Sequence, residues 1–468
     1  MTSYFGKNYS RRTLLQRGGQ LAAAAGAAGM IGQISRFSPA ARAEILTKAN
    51  AYQDRPIKLK AIQPIAATAA TNDRGLAFQE VYNRFMDANP TVSVEFAYSP
   101  WGDFTQSLSV AIGGGNAPDV ATWIDDQRIP SLAANGFLRS VDDLAKADGL
   151  DLSDVDPIAI SSATYAGKLY GLPYYWDDRI LFHNTDHFAA AGITAPPTTW
   201  DEAVQMGSSL DKKDGNSYTQ IGYIPLSPST VGGSTNGGGG NSFLFIYGWQ
   251  NGGKFTSDDL TKVTVNDPAI VAALEWCVQV SDKYGGADEQ ANFIQQAAHG
   301  ANPFVTSAIS MMTTTVGFGA STVNGSDAPV KWATSASPYK TSPATWSGVL
   351  SSALPVGSKY PDEAWALAKF MQTPNIQVYL AEKLRWIPTR RALWPKIDIF
   401  KTDPELVVGL AEFPNTHIRP PLPNSQELWD EILRASDAAL YHQSTAKEAL
   451  DAANDKIQAG LDKFLKKS

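Results

Sequence analysis

The strongest constraint on this chain is a repeated switch of hydrophobic period between residues 57 and 124. After the extended stretch Ile57-Lys58-Leu59-Lys60-Ala61, the segment NDRGLAFQEVYNRFMDANP places Phe78, Val81, Tyr82 and Phe85 at i, i+3, i+4 and i+7. That spacing predicts one buried face of an amphipathic helix. Asn89-Pro90 ends it, because the residue before a proline is pushed out of the helical region. Val92, Val94, Phe96 and Tyr98 then alternate as in a half-buried strand. A second helix, roughly 104–112, runs into GGGNAPD before the apolar DVATW. Strand, helix, strand, helix, strand predicts an α/β layer with a mostly parallel sheet. In such sheets ligands gather at the carboxyl ends of the strands.

The pattern returns further along. GKLYGLPYYWDDRILFHNTDHFAAAGITAPPTTWDEAVQMGSSL packs Gly, Pro and aromatic residues into an extended passage and then a new helix. Thr199 and Glu202 form a capping box at its start. Residues 229–241, STVGGSTNGGGGN, read as a surface loop. From Trp346, SGVLSSALPV and PDEAWALAKFMQTP repeat strand then helix, and the last third is helical. A chain of 468 residues exceeds what one core usually holds, so two or more domains are expected.

Residues 1–43 hold Lys7, Arg11, Arg12, Arg17, Arg36 and Arg42 and no carboxylate, around a short apolar run rich in Ala and Gly. That run is too short and too weakly apolar for a membrane span, which takes ~20 strongly apolar residues. A charged start, a short apolar middle and Ala41-Arg42-Ala43 have the anatomy of a removable export signal. The paired Arg11-Arg12 look like a twin-arginine signal. Cleavage near Ala43 would leave 33 Lys and Arg against 46 Asp and Glu, moving the formal charge from -7 to -13. So acidic a surface disfavours nucleic acid and anionic lipid as partners. The single cysteine, Cys277, allows no disulfide framework and no Cys-rich zinc site. The mature chain is expected free in a periplasm-like compartment.

GGGNAPDV (113–120), GKLYGLPY (167–174), LFHNTDHFAAAGITAPPTTWDEA (181–203), SAISMM (307–312), WSG (346–348), DEAWALAKFM (362–371) and WIPTRR (386–391) occur in one order. That ordered set resembles the extracellular solute-binding proteins of sugar importers powered by ATP-binding cassettes, the maltose-binding-like family. The resemblance implies a two-lobed periplasmic-binding-protein fold, each lobe a mostly parallel sheet flanked by helices, joined by a multi-crossing hinge. Lobe 1 would be 44–178 plus 344–395, and lobe 2 would be 179–343 plus 396–468. Crossings are expected near 172–179, 344–348 and 386–394. The implied partners are a carbohydrate or polyol, a membrane permease and, before export, the twin-arginine machinery. The receptor would be a monomer without a cofactor.

Sugars offer apolar C–H faces that stack on aromatic rings and hydroxyls that need paired donors and acceptors. Aromatic residues beside carboxylates at strand ends or crossings are therefore the candidates. Trp123 with Asp125 and Asp126 follows the strand DVAT. Tyr175, Trp176, Asp177 and Asp178 stand at the first crossing, and Trp346, Ser347 and Gly348 at the second. Phe318, and Arg385 with Trp386 at the third crossing, complete the set. Trp123, Trp176 and Trp346 are the expected stacking residues, although a tryptophan in a chain with 12 of them is as often core. Neighbouring carboxylates on an extended segment face opposite ways, so at most one of Asp125 and Asp126 should face the cleft; Asp125 or Asp126, Asp177 or Asp178, and Arg385 are the expected hydroxyl partners. Asp119 should brace backbone, and Trp200 and Trp365 should pack inside helices.

Two near-motifs point elsewhere. Gly248 to Lys254 fits the GxxxxGK core of a phosphate loop, but Phe255 stands where a hydroxyl has to meet magnesium. His183 and His187 have an i, i+4 metal spacing without further ligands. A glycoside hydrolase would also join tryptophan shelves to two carboxylates across a scissile bond, and it is the enzyme alternative to a receptor that binds without chemistry.

Overall fold

The helix face expected at Phe78, Val81, Tyr82 and Phe85 belongs to the helix Asn72–Ala88, and all four residues are buried. The computed structural model describes residues 55–64, 72–229, 243–298, 302–324, 326 and 329–466. The export segment 1–43 and positions 230–241 of the glycine-rich stretch lie outside the described residues.

The strands are β1 (Ile57–Gln63), β2 (Val92–Tyr98), β3 (Val120–Asp125), β4 (Thr164–Tyr165), β5 (Lys168–Leu169), β6 (Gly171–Asn184), β7 (Lys212–Asp214), β8 (Ser217–Tyr223), β9 (Ile309–Thr315), β10 (Trp332–Ser335), β11 (Thr345–Ala353), β12 (Ile387–Pro388) and β13 (Thr416–His417). β4 and β5 form a small separate pair, and the main sheet runs β2-β1-β3-β11-β6-β9-β8-β7. β1 pairs in parallel with both β2 and β3, as the strand–helix alternation requires. From β3 onward the sheet is mixed: β11 is antiparallel to β3 and β6, β6 is antiparallel to β9, β10 and β12, and β8–β9 and β11–β13 are parallel.

β6 is 14 residues long and fully buried apart from Asp177. Its first half pairs with β11, from Gly171↔Ala353 to Asp178↔Ser347. Its second half pairs with β9, from Arg179↔Thr315 to His183↔Met311. At Trp176 it lies between Val349 of β11 and Ile387 of β12. The three segments expected to cross between lobes thus lie side by side.

The apolar cores divide at the same place. One gathers Leu59 to Tyr175 with Leu350 to Trp386; the others gather Trp176 and later residues with Ile387 to Leu461, joined by Val155 and Ala159 from the earlier segment. Burial at ~25 cal/mol per Å² holds each core together, and the β6, β11 and β12 backbones tie them. The capping box expected at Thr199 and Glu202 is formed, and a second one stands at Thr445 and Glu448. No helix among the described residues is long and apolar enough to cross a membrane.

Candidate functional site

β3 ends at Asp125, and Asp126 begins the turn into the helix Arg128–Ala134, so the two carboxylates do not alternate as extended chain would have them and both face one guanidinium. Asp125 accepts from the Arg128 backbone N–H at 3.1 Å and from Arg128 Nη1 at 2.7 Å. Arg419, two residues beyond β13, donates to both carboxylates: Nη2 to Asp126 Oδ1 at 2.6 Å and to Asp125 Oδ2 at 3.2 Å, and Nε to Asp126 Oδ2 at 3.1 Å. Its Nη1 donates to Gln127 Oε1. Burial works to raise the Asp125 pKa, but Arg128 and Arg419 outweigh it and hold the carboxyl below the usual range. The Arg419 guanidinium lies 4.7 Å from the Trp346 ring centre and 5.0 Å from that of Trp429.

A matching arrangement approaches Trp346 from β6. Arg179 lies 3.7 Å from its ring centre and donates to Asp177 Oδ1 at 2.5 Å. The same Asp177 oxygen accepts from the Gly348 N–H at 2.7 Å. A Cβ at position 348 would stand 2.5 Å from that oxygen, which explains the glycine. Burial raises the Asp177 pKa against the pull of Arg179.

Asp125, Asp126, Asp177, Trp346 and Gly348 are therefore brought together, and Arg128, Arg179, Arg419 and Trp429 join them. Nothing in the local sequence flagged Arg419, which comes from the polar, proline-rich stretch THIRPPLPN more than 290 positions from its partners. As expected for extended chain, Asp178 faces away from Asp177. It pairs in register with Ser347, accepts from Thr416 Oγ1 at 2.7 Å, and burial pushes its pKa up to about 7.

The other candidates lie elsewhere. Tyr175 stacks on Trp386 at 3.7 Å, and Trp123 meets Trp386 edge-on at 4.8 Å and Phe78 at 5.0 Å. This is a closed aromatic cluster of the first core. Trp176 is wholly buried with its ring edge-on to Phe413, in the core that also holds Val349 and Ile387. Phe318 packs on Phe182 and Phe304. Arg385 takes a left-handed conformation after the helix Pro374–Leu384 and pairs with Asp403 at 2.8 Å, fastening two helix ends together.

The alternatives to ligand contact expected from sequence are visible in detail. Asp119 accepts from Lys60 N, Lys359 N and Ser358 Oγ, tying β1 and the turn at 358–359 to its own segment. Trp200 stacks on Trp276 at 4.2 Å. In the phosphate-loop-like stretch a Cβ on Gly248 would meet the Phe255 ring at 2.6 Å, and one on Gly253 would meet Ile270 at 2.5 Å. Those glycines serve packing. His183 stacks on Phe188, while His187 Nδ1 lies 2.9 Å from Ser310 Oγ.

Two apolar bodies joined by three adjacent strand segments, with a polar cluster at their junction, define a binding protein of the two-lobed periplasmic type. The chain belongs to the bacterial extracellular solute-binding protein family, whose model matches residues 68–378. A putative binding protein of Brucella abortus is 23% identical over 403 residues, spanning 84% of this chain and 90% of that one. The mannobiose-bound structure of CpMnBP1 superposes with a TM-score of 0.75 at 23% identity, covering 86% of this chain and 99% of the other. A Thermotoga lettingae solute-binding protein bound to α-D-tagatose gives 0.74 at 22% identity, covering 86% and 100%. At these identities the likeness establishes the fold.

Proposed function

We propose that this protein is the exported receptor of an ATP-powered importer, and that it captures a carbohydrate or polyol between lobes 44–178 plus 344–395 and 179–343 plus 396–468, with Ala344, Trp346, Val349, Ile387 and Leu393 at the crossings packed into the cores of the second. The observation that carries the reading is the polar cluster around Trp346. It combines an aromatic face with carboxylates, guanidiniums and an amide at the junction of the crossing strands, the chemistry that pyranose faces and hydroxyls call for. Solved neighbours that hold mannobiose, tagatose and maltose support the same class of ligand. Closure of the lobes around the sugar is a hinge motion of the kind periplasmic receptors use. A membrane permease would accept the closed form, and the receptor acts as a monomer in the periplasm after twin-arginine export and cleavage near Ala43.

Binding without chemistry fits the carboxylates. Asp177 and Asp178 face opposite sides of β6 and engage different partners, so they do not flank a common bond. Trp346 is the proposed stacking face, with Asp125 or Asp126 and Asp177 as hydroxyl partners. The decisive experiment is a thermal-shift panel of mono- and oligosaccharides, polyols and sugar phosphates. A true ligand stabilises by RT ln(1 + [L]/Kd), ~2.7 kcal/mol at a hundredfold excess over Kd. No stabilisation across the panel would remove the carbohydrate assignment.

A further inference from the structure

Arg419 joins the two apolar bodies through buried groups. Its own segment belongs to the later body: β13 pairs with Thr345 and Trp346, and Leu422 lies in the core that also holds Trp346. Its carboxylate partners lie at the end of β3, between Trp123 and Ile124 on one side and Ile129 on the other, all of the first core. Ser425 Oγ donates to the Gln127 carbonyl beside it, and Gln127 Nε2 donates to Gln426 Oε1 at 3.1 Å. The segment 125–128 is thus gripped by 419–426.

The guanidinium also has the shape of the ligand class proposed above. It is flat, lies over Trp346 and Trp429, and points N–H donors at Asp125 and Asp126, as a pyranose would stack its C–H face and direct its hydroxyls. Asp125, Asp126, Trp346 and Arg419 are 3%, 1%, 3% and 5% exposed, so a sugar reaches them only after the guanidinium withdraws. Withdrawal leaves Asp125 with Arg128, whereas Asp126 keeps only the weak 3.4 Å donation from Val349 N. A buried ion pair is close to balance between attraction and desolvation, which makes it exchangeable for other donors.

We infer that Arg419 is an internal stand-in for ligand: it latches the lobes together through Asp126 and gives way to sugar hydroxyls. The purpose rests on the receptor reading, but the latch itself is measurable without any sugar. Cysteines introduced at Val110, on the first body, and Lys447, on the second, carry a dye pair; native Cys277 is buried and stays unlabelled. In ligand-free protein, Arg419→Gln and, independently, Asp126→Asn should lower energy-transfer efficiency, reporting a shift of about tenfold or more in the open-to-closed ratio. Far-UV circular dichroism establishes that each variant is folded. Wild-type efficiency in both folded variants would overturn the latch. Titration with mannobiose and maltotriose then bears on the carbohydrate reading separately, since a sugar-blind protein can still show the latch.

Discussion

Trp386 and Trp346 both sit beside the crossing strands and both are buried, yet they are covered by different things. Trp386 is enclosed by Tyr175, Trp123 and Phe78, ring upon ring. Trp346 is flanked by Phe243 and Trp429, and two guanidiniums, Arg179 and Arg419, lie against its ring. An aromatic ring over a tryptophan is held by the hydrophobic effect and has no better place to go. A guanidinium over a tryptophan is held by hydrogen bonds and charge that other donors can also supply, so a ligand can replace it. The first setting makes structure, and the second can make a site.

The largest effect that would break this comparison lies at the aromatic setting. Trp386→Ala should cost ~3–5 kcal/mol of stability, read from the denaturant midpoint, because it opens a cavity among three rings. A loss below ~1 kcal/mol would mean that the cluster is not the keystone of the first core. Between the two settings stands Asp178. Its folded pKa of about 7 lies above the ordinary carboxylate value, so the folded state holds its proton where the unfolded state has lost it. Stability should therefore fall as pH rises from ~4 to ~7, by an amount on the order of a few kcal/mol. Asp178→Asn should flatten that part of the profile, and an unchanged slope in the variant would assign the dependence to another group, such as the buried Glu405. At the guanidinium setting, Trp346→Ala should weaken a sugar identified by the screen by ~2 kcal/mol, roughly thirtyfold in Kd by calorimetry. Trp123→Ala should leave the affinity nearly unchanged while lowering the melting temperature. If Trp123 and Trp346 exchanged these phenotypes, the distinction drawn from their coverings would be wrong.

Much of the fold was legible because it is local. The Phe78, Val81, Tyr82, Phe85 face needs only a period of 3.6, the β2 alternation needs only a period of 2, and the capping box at Thr199 needs four residues. The crossing segments were legible through the resemblance, and their contacts followed from the pairing of β6 with β11 and β12. Half of the candidate site was legible too, since WIDD and WSG carry residues of the polar cluster around Trp346. The other half was not. Arg179 reads as an ordinary strand residue, Trp429 as a partly buried residue of an amphipathic helix, and Arg419 as part of a polar loop. Conversely Trp176, the most aromatic-looking crossing residue, proved to be core, because the direction of a side chain on a strand that is buried on both faces cannot be read from composition.

The sequence by itself determined the α/β alternation, the helix boundaries and the acidic charge of the chain. Periodicity and charge are properties of neighbours, and neighbours are what a sequence lists. Only the tertiary structure decided which tryptophans are walled in by rings and which are covered by arginines, and it alone brought Arg419 to Asp125 and Asp126. Those contacts join residues almost 300 positions apart, and they are set up by β11, which pairs with β13 at one end and with β3 further along.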